Sequence, residues 1–414
     1  MKKFLYNYLF ISVIATGIFL LAFTGCTDKG APSLFQGVPT GPIGATPSIT
    51  SISPSVALAG VTQITITGQN FSTDPTQDLV YFNGIPVTVS SATSTQLVLT
   101  SPNVIGDSVG IRVAVLNAEM FSNTVSITQK ASSKDFYPGA KDQSDVPMSI
   151  VSDNLGNIYS SNNALGVYQI TPDSTISLYS PKGGETFWSS MRFGPGGVMY
   201  CARGLQAIFT IPAGGGVKNS TWLVLPSTIK ISQLEFDPLG NLWAAGKNSV
   251  IYRIKQDKSF VTFPFAANVT AMRVFVSGGT TYLYVAAQTD SLTTIQRMPI
   301  DANGNLGTAE TYFDFSKNYG ANWVVNGLDF SADGEMFLAT NMSQPLIYVN
   351  TDKSTGALYP GVIQNSPALG LIWGSGNYLY YIRRQINDAT GAFLVPQTIV
   401  RLDILKPGAP YYGQ

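Results

Sequence analysis

Histidine is absent from all 414 residues, and cysteine occurs only at positions 26 and 201. Without imidazole there is no Ser-His-Asp or Cys-His catalysis, and no zinc site that uses a histidine. Charge is scarce too. Charged residues make up 12% of the chain, about half the usual share, so Ser, Thr, Asn and Gln must supply much of the polar surface. Lys+Arg and Asp+Glu balance at 24 each. No basic face is signalled, which speaks against nucleic acid as a partner. After residue 26 there is no long helical periodicity and no apolar stretch long enough to span a bilayer.

What the chain does have is Gly, Pro, Tyr, Phe, Val and Thr, set in many short alternating runs bounded by turn residues. That pattern is all-β. The N-terminus differs. Met1-Lys2-Lys3 leads into an apolar run that ends Ala22-Phe23-Thr24-Gly25-Cys26. A positive start, an apolar middle and a small residue before a cut site make a secretory leader. The Gly25-Cys26 end resembles a bacterial lipoprotein signal; an ordinary cleaved leader and an uncleaved anchor are the alternatives. The resemblance implies a signal peptide over 1–25, a diacylglycerol on the Cys26 sulfur and an acylated amino group, which together anchor the chain to a membrane durably. It implies a bacterial cell-envelope location. Thr27, in place of Asp after the cysteine, points to the outer membrane, with surface exposure left open. With Cys26 lipidated, Cys201 has no disulfide partner. It sits in the apolar run Val198-Met199-Tyr200-Cys201-Ala202, where a buried, inert thiol is expected. Residues 26–46 read as the lipidated cysteine and a flexible Gly/Pro/Ser/Thr-rich tether.

Residues 47–129 carry strand-like runs such as Ile64-Thr65-Ile66-Thr67, Leu79-Val80-Tyr81-Phe82 and Val109–Val115, with the spacing of a small β-sandwich. Ile49-Thr50-Ser51-Ile52-Ser53-Pro54, then Ile66-Thr67-Gly68-Gln69-Asn70-Phe71, then Val80-Tyr81-Phe82-Asn83-Gly84 resemble the immunoglobulin-like IPT/TIG domain. The resemblance implies a spacer or interaction module with no catalytic residues. Residues 130–147 read as a polar linker.

From residue 148 the chain repeats. Copies of an apolar strand, a tight Gly turn and a second apolar strand begin near 148, 189, 232, 270, 326 and 369, among them Leu234-Glu235-Phe236-Asp237-Pro238-Leu239-Gly240-Asn241-Leu242-Trp243. A period of roughly 40, with several strands in each copy, means propeller blades. Six copies predict a six-bladed β-propeller over 148–414, similar to NHL-type propellers. The expected fold class is all-β, a small immunoglobulin-like β-sandwich followed by a six-bladed β-propeller. The segment around Asp135-Phe136-Tyr137, or the tail at Tyr411-Tyr412, would supply the closing outer strand.

Candidate chemistry is sparse. Asp237 and Asp333 occupy turn slots where Asp is expected anyway. Glu235 and Asp329 are different, because each falls between apolar neighbours on a first strand and so could meet its counterpart at the axis. Calcium-dependent lactonase propellers of the gluconolactonase type hold a metal near the axis with Glu, Asn and Asp. Glu235, Asn326 and Asp329 offer those residue types, without a motif that aligns. Asp301-Ala302-Asn303-Gly304-Asn305 fails as a calcium loop, since the Gly comes too early and no Glu closes it. Gly214-Gly215-Gly216 has no following Lys-Ser/Thr to make a phosphate cradle. Trp188 and Trp323 lie in loop-to-strand positions and are the aromatic candidates for a ligand-binding face. The reading is an envelope-anchored lipoprotein that binds or scaffolds, its propeller face engaging a glycan or a protein partner without a cofactor. The alternative is a metal-dependent, lactonase-like hydrolase or a lyase using axial carboxylates, with calcium as its ion.

Overall fold

The computed structural model describes residues 43–137, 146–162, 165–185, 187–226, 228–247 and 249–413. The leader, Cys26 and the tether up to residue 42 lie outside them.

Strands between Ser48 and Lys130 build two packed sheets of four and five strands. The period-2 pattern of Gln63–Gln69 turns Ile64 and Ile66 inward, where they meet Val80, Phe82, Leu97, Leu99 and Ile111, all fully buried. The Gly68-Gln69-Asn70-Phe71 stretch is a backbone requirement. A Cβ on Gly68 would stand 2.0 Å from the Ser48 carbonyl oxygen and 2.5 Å from the Phe71 ring, and Asn70 takes the left-handed conformation at φ 61°. Phe71 can then turn back to close the core at 6% exposure.

Among the described residues the rest of the chain forms one two-stranded sheet, Ile386–Asn387 with Phe393–Val395, and six four-stranded sheets. Their innermost strands are Pro147–Ser152, Ser190–Gly194, Ile231–Phe236, Asn268–Ser277, Val325–Phe330 and Ala368–Trp373, each starting within two residues of the repeat positions read from sequence. We number the blades one to six in that order. Blade six is completed from the other end of the propeller. Ser133–Asp135 pairs antiparallel with Thr398–Asp403, Ser133 opposite Leu402 and Asp135 opposite Val400. Part of the segment read as a linker is therefore the closing strand, and Phe136 and Tyr137 after it are core residues. Arg383 clamps the seam with two bonds to the Asp135 carboxylate, 2.9 and 3.2 Å. The tail at Tyr411-Tyr412 forms no strand and does something else, described below.

The recurring Asp-x-x-Gly-Asn is a turn device. The Asp237 carboxylate accepts from the Leu239 and Asn241 backbone N–H groups, from the Asn241 amide and from the Trp243 indole, all within 2.8–2.9 Å. Asp153 and Asp301 are bonded in the same manner. Asp301-Ala-Asn-Gly-Asn is thus a hairpin turn, as its spacing suggests. These turns all lie on one face of the propeller, which we call the turn face. The opposite face, where the inner strands begin, is the mouth.

Candidate functional site: the propeller axis and its two ends

Each inner strand carries one apolar-X-apolar triplet near its middle. In blades two to five the central position is Arg192, Glu235, Arg273 and Asp329. Charge thus alternates in sign from blade to blade. Arg192 Nε donates to Glu235 Oε2 at 2.9 Å, Arg273 Nη1 lies 3.7 Å from Glu235 Oε1, and Arg273 Nε donates to Asp329 Oδ1 at 2.8 Å. Glu235 and Arg273 are 0% exposed and Asp329 1%. Charges this deep persist only when paired and hydrogen-bonded.

The pairing is completed by the chain's own C-terminus. Residues 407–413 run beneath the inner strands on the turn face. Ala332 N–H donates to the Pro407 carbonyl and Ala409 N–H to that of Phe330. Arg273 Nη2 donates to the Ala409 and Pro410 carbonyls at 3.1 and 2.9 Å. The Tyr411 ring packs over the Arg273 guanidinium at 3.9 Å, and its hydroxyl donates to Asp329 Oδ2. The Trp373 N–H donates to the same carboxylate oxygen at 2.9 Å and to the phenol oxygen at 2.8 Å. With the Phe330 N–H on Oδ1, Asp329 accepts four donors, the phenol among them. Burial works against charge on Arg273, but Asp329 and Glu235 outweigh it and hold the guanidinium charged. Burial, followed by the Asp329 carboxylate, keeps the Tyr411 phenol protonated.

Glu235 and Asp329 do meet at the axis, as their setting between apolar neighbours suggested, but they meet through Arg273. General acid–base work needs a carboxylate whose lone pairs reach a substrate. Those of Asp329 are taken, and the one Glu235 oxygen without a hydrogen bond, Oε1, is sealed from solvent. Calcium fares no better. It needs six to eight oxygen ligands, yet a guanidinium stands between the two carboxylates. Asn326 points elsewhere, its amide donating to the Ala368 carbonyl of blade six at 2.9 Å. Among the described residues no three acidic or cysteine side chains gather into a metal-holding group. Glu235, Asn326 and Asp329 do not fit the ion that the lactonase resemblance implies.

Asn326 belongs to a ring of latches at the mouth. Ser189 Oγ donates to the Ser232 carbonyl, Gln233 Nε2 to that of Thr270, Thr270 Oγ1 to that of Val325, and Asn326 Nδ2 to that of Ala368. Each reaches to the next blade. A β-bulge near the start of five of the six inner strands turns such residues toward the seam. The mouth itself is a cavity of about 50 Å³ lined by Ser149, Ser190, Arg192, Gln233 and Asn326, room for a water or two.

The aromatic expectations divide. Trp188 is 1% exposed and packs on Phe209 at 5.2 Å, so it is core and unavailable for stacking. The chain exposes its neighbour instead: Phe187 is 46% exposed. Trp323 is partly exposed, against the Phe315 and Val325 cluster. Cys201 is buried as expected, and burial pushes its thiol far up, out of reach of thiolate chemistry. Sequence reasoning missed Arg192, Arg273 and Tyr411. The first two were readable by aligning the apolar-X-apolar triplets across the copies. Tyr411 carried no such signal.

Larger recesses open between blades on the turn face; one of about 300 Å³ lies between blades three and four, and two are lined by aromatic rings. One, about 460 Å³, lies between blades one and two, lined by Tyr159, Tyr179, Phe193, Gln169, Asp153 and Asn154. The other, about 360 Å³, lies between blades four and five.

With the geometry in place, comparison with known proteins adds the following. The IPT/TIG family model matches residues 47–129. The sandwich is an IPT/TIG domain. No curated protein matches the sequence. Among solved structures, an auxiliary nutrient binding protein from Bacteroides thetaiotaomicron VPI-5482 is 12% identical with a TM-score of 0.50, covering 86% of this chain and 97% of that one. Another, from Bacteroides ovatus ATCC 8483, is 10% identical with a TM-score of 0.50, covering 86% and 98%. A luciferin-regenerating enzyme is 14% identical with a TM-score of 0.52, covering 68% and 97%. The first two span more of this chain than its propeller, the third about as much as the propeller alone. At such identities the likeness is one of fold, and that fold serves binding proteins and enzymes alike. The IPT/TIG domain touches the propeller at Gly60, beside Val362 of the connection into blade six.

Proposed function

We propose that this chain is a lipid-anchored protein of the bacterial cell envelope that binds rather than catalyses, its propeller engaging a glycan or a protein partner. One observation carries the reading: the only axial carboxylates among the triplet positions are neutralised by Arg192 and Arg273 and sealed by the C-terminal tail. The space for a ligand lies in aromatic-lined recesses between blades, and the glycan reading rests on these. Tyr159, Tyr179 and Phe193 line one of them, together with Gln169 and Asn154. Rings plus amides suit a sugar, which is apolar on its C–H faces and polar at its rim. The two Bacteroides auxiliary nutrient binding proteins are of the same class. The anchor rests on the Gly25-Cys26 leader, and the outer membrane on Thr27.

A thermal-shift screen against Ca²⁺, EDTA and an oligosaccharide panel tests the proposal, because a ligand that binds only the native state raises Tm. The expected result is no response to Ca²⁺ or EDTA and a rise with at least one oligosaccharide. A rise with Ca²⁺ that disappears in Glu235→Gln would overturn it in favour of a lactonase-like hydrolase or a lyase. Mass spectrometry of the membrane-extracted protein checks the anchor: a diacylglyceryl Cys26 at the N-terminus is expected, and an unmodified N-terminus refutes it.

A further inference from the structure

The recess between blades four and five is built differently from the axis. Its walls are Phe275 and Tyr312, with Ser277 and Thr351 at the rim. Two cations share one side. Arg297 lies 4.5 Å from the Tyr282 ring and 5.1 Å from the Tyr312 ring, and its Nε donates to Glu310 at 2.6 Å. The Lys353 ammonium sits 2.9 Å above the Tyr312 ring and, among the described residues, has no carboxylate within ion-pair distance. Asp333 also lines the recess and is bridged at 2.9 Å to Lys406.

Blade three provides an internal control. Lys258 and Lys353 occupy the same slot of equivalent hairpin turns, at φ 70° and 72°. Lys258 is exposed to solvent, whereas Lys353 is folded over the ring and part-buried. Burial, reinforced by the neighbouring Arg297 guanidinium, pushes the Lys353 ammonium down to about 8. The turn does not require this position, as Lys258 demonstrates, and the lysine gains no counter-ion by taking it.

We propose that this recess binds an acidic sugar, with its carboxylate on Lys353 and Arg297, its ring against Tyr312 and Phe275, and its hydroxyls donating to Asp333. The two sides select together. Asp333 accepts hydrogen bonds while Lys353 and Arg297 attract anions, so together they favour a ligand that carries hydroxyl donors as well as negative charge. Inorganic phosphate offers only the charge, and a neutral sugar only the hydroxyls. The volume, about 360 Å³, falls within the range of small-molecule sites. The proposal narrows the glycan-binding reading and rests on it for the class of ligand.

Isothermal titration of the whole protein with a panel of uronic-acid oligosaccharides, their neutral counterparts and inorganic phosphate tests it. We expect a uronic-acid oligosaccharide to bind, its affinity to fall at least about tenfold in Lys353→Met by loss of one charge-assisted contact, and Lys258→Met to bind like wild type. Binding should also weaken with added salt. Equal affinity in wild type and Lys353→Met overturns the proposal. So does phosphate binding as tightly as the sugar, which would make this a plain anion site. Neutral sugars binding while the acidic ones do not would overturn it and leave the broader glycan reading standing; silence from the whole panel would count against both.

Discussion

Two of the places in this propeller where cations meet aromatic rings handle them in opposite ways. At the axis, Arg273 is 0% exposed, faces two carboxylates, and is roofed by Tyr411. Between blades four and five, Lys353 lies on Tyr312 with Arg297 as its neighbour and no carboxylate of its own. The difference follows from solvent. A charge cut off from water has to be matched within the protein, because an uncompensated one costs several kcal/mol. A charge at the edge of a recess can stay unmatched while water solvates it, and that leaves it free for a ligand. Matched buried charge is therefore a sign of structure, and unmatched charge at the rim of a recess is a sign of binding.

The axial half of this contrast breaks most severely. Arg273→Met leaves Asp329 and Glu235 buried without their shared cation, and should cost about 3–5 kcal/mol, read as a drop in the midpoint of equilibrium unfolding in guanidinium chloride. A loss under about 1 kcal/mol would mean that water reaches the axis and that the carboxylates there are available after all. Adding Asp329→Leu to that variant should recover part of the loss, since removing both partners is less harmful than removing one. Tyr411→Phe is milder. It takes one hydroxyl from Asp329 and from the Trp373 N–H while keeping the ring on Arg273, so about 1–2 kcal/mol is expected. Wild-type stability in that variant would show that the tail covers the axis without being bonded into it.

Much of this fold is legible in the sequence, because the signals are local and repeated. The turn motif needs Asp to bond its own backbone and Gly to take positive φ, so it marks every blade that has it. Gly68 and Asn70 mark the sandwich for a similar reason: only certain residues fit a backbone that crowds Ser48. The axis was half legible. Glu235 and Asp329 stood out as acids between apolar neighbours, but what they do depends on Arg273, whose charge is set by contacts 38 and 56 residues away in sequence. Asn326 has a residue type suited to calcium, and only the bulge at Val325/Gly327 shows that it latches blade five to blade six. Trp188 and Phe187 are adjacent in the segment leading into the inner strand of blade two, yet one is buried and the other exposed. The sequence held the pair without saying which of the two was inside. The tail was least legible of all, since Pro410-Tyr411-Tyr412 has no pattern until the channel it enters exists.

The smallest effect belongs to the unmatched side, and its sign is what matters. Lys353 falls from the ordinary 10.5 to about 8 in the folded protein. Between those values the unfolded chain still holds a proton that the folded chain has released. Stability should therefore rise with pH from about 8 towards 10, where unfolded tyrosines begin to ionise and oppose it. The groups around the amine are Arg297, Glu310, Tyr282, Tyr284 and Tyr312 from blade four and Asp333 from blade five, and Arg297 is the one that disfavours its charge. Lys353→Met should flatten this rise in unfolding free energy measured at several pH values, with little change elsewhere in the profile. A bound carboxylate should do the reverse, drawing the amine back up and moving the rise to higher pH. If the wild-type and Lys353→Met profiles run parallel from pH 7 to 10, the amine is solvated like that of Lys258, and the distinction between a matched axis and an unmatched recess fails at its weaker end.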